Sequence, residues 1–228
     1  MIRRSVLALI LLLFGSVSLA QSKIELAEKL AENMRSLRDY QWTMRIQVRE
    51  GGTTKYTFLE SVEYDSEGNL VRDLVEGEDP QERKKGIFNY QQQLHSRQEL
   101  LRSLIERTIA YGNASPETWK KLVLTSLTIP EPDGTIDNIE NTGFLVRSDA
   151  VRLGLQNQLP KLVGIKTSHA GSPLDLRIEF KRIEGGGPAY PWQIASRFVA
   201  KEMYSERQLS VVVENFDFLK QDREKDSN

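Results

Sequence analysis

The 228-residue sequence contains no cysteine. That excludes disulfides, a thiol nucleophile and any thiolate-bound metal. Histidine is nearly absent as well. His95 and His169 stand far apart, and neither falls in an H-E-x-x-H pattern. Each reads as a structural or solvent-facing imidazole. There is no G-x-S-x-G elbow; Gly171-Ser172 runs into Pro173 and reads as a turn. There is no phosphate-binding glycine pattern either. Gly185 to Gly187 precede Pro188, which prevents them from opening a helix onto an anion.

An excess of one charge is also missing: 31 basic residues face 32 acidic ones. This balance gives no case for nucleic acid as a partner. Two acidic turns, Asp65-Glu67-Asp73 and Asp133-Asp137, carry oxygens that calcium could use. Neither has the full loop spacing, and turns collect Asp and Gly for conformational reasons. The acids Glu76, Glu78, Asp79 and Glu82 are followed by Arg83, Lys84 and Lys85, which reads as a self-neutralising loop over 76–86. No catalytic residue, metal or cofactor is therefore expected.

What is present begins at the first residues. Arg3 and Arg4 precede an apolar run from Val6 to Phe14, and Gly15, Ser16, Ser18 and Ala20 follow. This is the layout of a secretory signal peptide over residues 1–20, cleaved before Gln21. The run is shorter than the roughly 20 residues of a membrane-spanning helix, and no other segment is longer or more apolar. Removing the leader takes two arginines and leaves a slightly acidic chain. A cysteine-free exported domain fits a bacterial envelope: periplasmic or secreted, and not an integral membrane protein. Residues 21–221 are expected to form one domain, and 222–228 a charged tail.

Periodicity divides that domain. Ile24, Ala27, Leu30, Ala31, Met34 and Leu37 predict an amphipathic helix over 23–37. The period then drops to two. Tyr40, Trp42, Met44, Ile46 and Val48 alternate with polar residues, Gly51-Gly52 supplies a hairpin turn, and Tyr56, Phe58, Val62 and Tyr64 continue on a return strand. A third strand is expected over 70–75. The spacing predicts a helix over 97–111, stopped by Gly112, and another opened by Ser115-Pro116. Strands follow at 143–147, 150–155, 161–168, 174–183, 191–200 and 207–219. The order is α+β with a mainly antiparallel sheet, whose apolar face the helices must cover.

A leading helix, alternating strands at 40–49 and 55–64, a charged turn at 65–69, a helical insert and late strands such as Leu159-Pro160-Lys161-Leu162-Val163 together resemble the periplasmic LolA/LolB-like superfamily. The resemblance implies a curved, half-open antiparallel β-barrel with helices as its lid over an apolar cavity for acyl chains. It also implies carriage of a lipid or an acylated protein without catalysis. It carries over no individual functional residue. Trp42, Met44, Ile46, Tyr56, Phe58 and Tyr64 are the candidate ligand-facing residues. The alternative is that the same face is filled core, in which case the chain is an envelope protein that docks a partner through a sheet edge or the 76–98 segment.

Overall fold

In the computed structural model, residues 22–77, 88–126, 138–201 and 206–221 are described, without the side chains of 88–97, 200 and 201. The expected signal peptide, most of the charged loop, the Asp133–Asp137 turn and the C-terminal tail lie outside these residues.

Helix α1 covers residues 22–36, and a 3-10 turn at Leu37–Asp39 leads directly into the sheet. The first three strands are β1 (Tyr40–Glu50), β2 (Thr53–Tyr64) and β3 (Leu70–Glu76). Two helices follow, α2 (Phe88–Gly112) and α3 (Pro116–Leu124). The remaining strands are β4 (Asn138–Thr142), β5 (Ala150–Gln156), β6 (Leu159–His169), β7 (Ser172–Arg182), β8 (Ala189–Lys201) and β9 (Glu206–Lys220). All nine strands form one sheet in the order β3-β2-β1-β9-β8-β7-β6-β5-β4, with every neighbouring pair antiparallel. The sheet does not close: β3 and β4 are its two ends, and the helices pack on it. This is the α+β, antiparallel plan expected from the order of elements, and the open sheet with its helical cover agrees with the half-open barrel that the resemblance implied.

Turn chemistry holds the hairpins in register. Gly51 and Gly52 both have positive φ (54° and 84°), as a two-residue primed turn requires. Asn157 and Gln158 make the same kind of turn between β5 and β6. Two expectations are corrected. Helix α2 begins nine residues before residue 97, at Phe88. Residues 143–147, expected as a strand, form a tight loop instead. The buried Asp149 carboxylate accepts hydrogen bonds from the Leu145 and Val146 amides (2.9 and 3.0 Å) and from the Tyr111 hydroxyl (2.7 Å). A strand would leave these donors without that partner.

The sheet register places one side chain per strand on a common face. Phe58, Ile46, Val213, Ile194, Ile178, Val163, Leu153 and Ile139 are successive cross-strand partners from β2 to β4. All eight are buried. A second row on that face runs Val48, Val211, Ser196, Leu176, Ile165 and Val151. The helices cover these rows with Leu30, Leu104, Ile109, Trp119 and Leu122.

Helix α1 is fastened to the sheet by a side chain that acts as a strand. The Asn33 Nδ2 donates to the Ala189 carbonyl and its Oδ1 accepts from the Ala189 amide, both at 2.8 Å. Ala189 opens β8 where β9 has diverged towards β1, so Asn33 supplies the missing ladder partner. Replacing Asn33 with Ala is expected to strand a buried donor and a buried acceptor. Urea unfolding should then show a loss of about 2–4 kcal/mol, whereas substitution of the exposed Ser36 should change little.

Candidate ligand-binding face

The alternation that defines β1 and β2 gathers all six candidate residues on the helix-covered face. Ile46 is opposite Phe58, Val48 opposite Tyr56, and Trp42 opposite Val62, with Tyr64 one step further along β2. Their environments differ. Met44 and Ile46 are fully buried, and Trp42 and Phe58 nearly so. Tyr64 is partly buried, and Tyr56 is 36% exposed. The structure therefore brings the six together and grades them from sealed core at Met44 to open rim at Tyr56. Leu74, opposite Glu60 on the same face of β3, is 52% exposed.

Trp42 anchors an aromatic cluster. Its ring stacks on Phe218 at 5.5 Å and meets Tyr64 at 5.7 Å; Tyr190 packs on Phe218 at 4.1 Å. The indole Nε1 donates to the Asn215 Oδ1 at 3.0 Å, which lets a polar edge be buried at this splayed part of the sheet. Burial pushes the Tyr64 phenol up to about 12, so it stays protonated at any physiological pH.

Two charged residues on this face are absent from the sequence-derived set. Glu60 lies opposite Met44, and Arg72 opposite Val62. Arg72 pairs with Glu60 at 3.5 Å and reaches Glu106 on α2. Burial raises the Glu60 carboxyl above its ordinary value, against the pull of Arg72. The signal was available: Glu60 occupies an apolar position in the alternation of β2, between Phe58 and Val62.

Helix α2 lies along β8 and β9 and is held by distinct contacts. Gly112 brings the helix end onto the sheet; a Cβ there would fall 2.1 Å from the Ile194 Cδ1. Thr108 and Ser196, both buried, place their hydroxyl oxygens 2.9 Å apart. The Ser103 Oγ lies 3.0 Å from the His169 Nε2. The same hydroxyl lies 2.9 Å from the Leu100 carbonyl, so it donates either to that oxygen or to the ring, according to the histidine tautomer. Asp65, one of the acids weighed for calcium, accepts from the Glu67 and Asn69 amides at 2.9 and 2.8 Å and organises its turn.

Among the described residues there is a cleft of about 110 Å³ at the end of this face, between α1, the β2–β3 turn and the α2–α3 junction. Met34, Leu37, Arg38, Tyr64 and Leu70 are among the residues that line it. No helix of the described residues is long and apolar enough to cross a membrane.

His169 gives a pH prediction. Burial, and secondarily the nearby Arg107, hold its pKa below the ordinary value. The unfolded chain therefore binds a proton near pH 6.5 that the folded chain refuses. Stability is complete above about pH 6.5 and declines as the pH falls below it. The urea midpoint of His169→Gln should vary less than that of the parent between about pH 7.5 and 5.5. Equal slopes would mean that another group carries the dependence.

No family model and no curated protein matches the sequence. Among solved structures, the chain is similar to the LolA superfamily protein NE2245 from Nitrosomonas europaea. The two are 15% identical, the match covers 89% of this chain and 94% of that one, and the TM-score is 0.39. No residue role follows from this likeness.

Proposed function

We propose that this is an exported, non-enzymatic periplasmic protein that binds or carries an apolar ligand, a lipid or an acylated protein, between the sheet and its helical cover. One observation carries the reading. An open nine-stranded sheet presents an unbroken apolar row from Phe58 to Ile139, and the cover over it is partly seated through hydroxyl and imidazole contacts. Hydroxyls of that kind find water when the helix lifts, so release costs less than it would from a purely apolar seat. Tyr56 and Leu74 form the exposed rim, with Phe58, Ile46, Met44, Trp42 and Tyr64 behind it. Each methylene transferred from water to this face would contribute about 0.8 kcal/mol. The leader at residues 1–20 supports the periplasmic placement.

A second reading is favoured by the packing of Met44, Ile46 and Trp42. These side chains are sealed, and the cleft among the described residues, at about 110 Å³, is too small for a whole acyl chain. On this reading the core is permanently filled, and the protein docks an envelope partner at the β3 edge, where Leu74 and Val75 are 52% and 66% exposed.

The absence of cysteine allows a direct test. Cysteines at positions 108 and 196, where the two oxygens are 2.9 Å apart, would lock α2 to the sheet when oxidised. The reduced double variant is expected to take up a fluorescent fatty acid, observed by native mass spectrometry, and the oxidised form to lose that uptake. Uptake by both would place the ligand elsewhere. Uptake by neither variant nor parent would establish the filled-core reading.

A further inference from the structure

The two ends of the sheet differ. Strand β4 has five residues and meets α3 through Asn141, whose Nδ2 donates to the Leu122 carbonyl at 2.6 Å. Strand β3 has seven, and no described strand pairs with its outer side. Such an edge holds a row of unpaired amides and carbonyls, and apolar side chains exposed along it mark a place for strand addition. Val71, Leu74 and Val75 are all exposed here. The pairing with β2 slips beyond Leu74, so Leu70 to Leu74 is the regular stretch. Its two faces differ in chemistry. Leu70 and Leu74 lie on the helix-covered side, opposite Tyr64 and Glu60, whereas Val71 and Asp73 lie on the other, opposite Glu63 and Ser61. The surroundings are acidic. From Thr53 to Glu76 the hairpin carries six acids, with Lys55 and Arg72 as its bases. Arg72 is taken by Glu60 and Glu106. Asp73 and Glu76 are exposed and have no ion pair among the described residues.

We infer that the β3 edge receives an extended segment of a partner protein in which apolar residues alternate with lysine or arginine. The inference rests on the edge docking given above as the second reading, and it names the partner's chemistry. The alternation of β3 dictates the pattern, because successive side chains of an added strand point to opposite faces. Those on the covered side meet Leu70 and Leu74 and are favoured when apolar. Those on the other side meet Asp73, with Glu63 and Glu76 on the same face. A base is favoured there and an acid is opposed. A second copy of this chain fits poorly. Antiparallel pairing of β3 about a two-fold axis sets Arg72 against its own counterpart, or Asp73 against its own, in the registers that use most of the regular stretch. Like charges directly opposite each other are destabilising. Docking here also bears on the cover. Arg72 joins β3 to Glu106 of α2, so the added strand lies beside that flank.

The test separates strand addition from the choice of charge. It uses a pair of short fluorescent peptides, one alternating lysine with valine and the other glutamate with valine. Anisotropy titration of the intact mature protein is expected to give the lysine peptide about tenfold tighter binding, as reversal of a pair of cross-strand charge contacts allows. Amide hydrogen exchange should slow along Leu70 to Leu74 when that peptide is bound. The double variant Asp73→Asn, Glu76→Gln should bring the two affinities together and keep the slowed exchange. Equal binding of the peptides by the parent protein, with β3 protected, would overturn the basic partner and leave edge docking intact. A lysine preference without protection of β3, or one undiminished in the double variant, would overturn the inference and place the attraction elsewhere on the surface. Binding of neither peptide would overturn the inference and the edge docking together.

Discussion

Everything in this fold follows from the need to dry one face of a nine-stranded sheet. The row from Phe58 to Ile139 places a large aliphatic or aromatic side chain on eight consecutive strands, always on the same side. Removing each from water contributes about 1.5–3 kcal/mol, and none can be dried by the sheet alone. The opposite face needs no cover, because it carries Arg45, Arg177, Glu179 and Glu214, whose charged ends remain in water or pair with one another. The helices are therefore a consequence of the rows. Their own amphipathic spacing is the complementary half of the same constraint.

The connectivity shows how a single chain meets this need. β9 returns to pair with β1, so strands from the beginning and end of the domain lie at the centre of the sheet, and the middle of the sequence holds its edges. The segment between β3 and β4 connects one free edge to the other, and α2 and α3 lie within it. The cover is thus the necessary crossing between the two edges. Helix α1 is joined to it through Lys23, which donates to the Ser126 carbonyl at 2.7 Å, and through the Glu28–Lys120 and Arg35–Glu117 pairs. The two ion pairs are open to water, and pairs of that kind contribute little individually. Burial of Leu30, Met34, Trp119 and Leu122 supplies the adhesion, and the polar ties set the register between helices.

Much of this was legible in the sequence, for a physical reason. Period-two alternation at Trp42, Met44 and Ile46 reflects burial on one face, and the Gly51-Gly52 pair reflects the φ values that a short hairpin demands. Ser115-Pro116 marked the start of α3, and its Ser115 hydroxyl does accept from the Thr118 amide. What was not legible depends on contacts distant in sequence. Residues 143–147 carry a short apolar run that reads as a strand, yet a buried carboxylate at Asp149 and a phenol 38 positions away at Tyr111 fold them into a loop. The polar elements of the candidate face escaped for the same reason. Glu60 interrupts the alternation of β2 and was visible there, but its partners Arg72 and Glu106 acquire meaning only when β2, β3 and α2 meet, and Arg38 only when Gly68 lets it approach the β2–β3 turn. Local pattern encodes which face is dry; charge placed on that face becomes interpretable only in three dimensions.

The two flanks of α2 differ in a way that bears on access to the face. Towards β4–β6, the Tyr111 hydroxyl is buried against Asp149, and Phe144 stacks beside Tyr111 and Trp119. Separating these groups would take the Tyr111 hydroxyl from a buried carboxylate that keeps its two amide donors, at a cost of about 1–3 kcal/mol. Towards β2 and β3, the described contacts include Arg72 with Glu106, whose side chains are 20% and 52% exposed. A pair that open to water contributes about 0–1 kcal/mol, and water can take over both partners when it parts. The helix end at Gly112 is meanwhile fixed by close approach to Ile194. Among the described contacts, α2 is therefore held most firmly at its C-terminal end and on the β4–β6 side, and least beside β3. The half-exposed Leu74 and Tyr56 stand on that weak side. Under the proposed function, the same asymmetry that keeps the fold closed fixes the side from which an apolar ligand would enter.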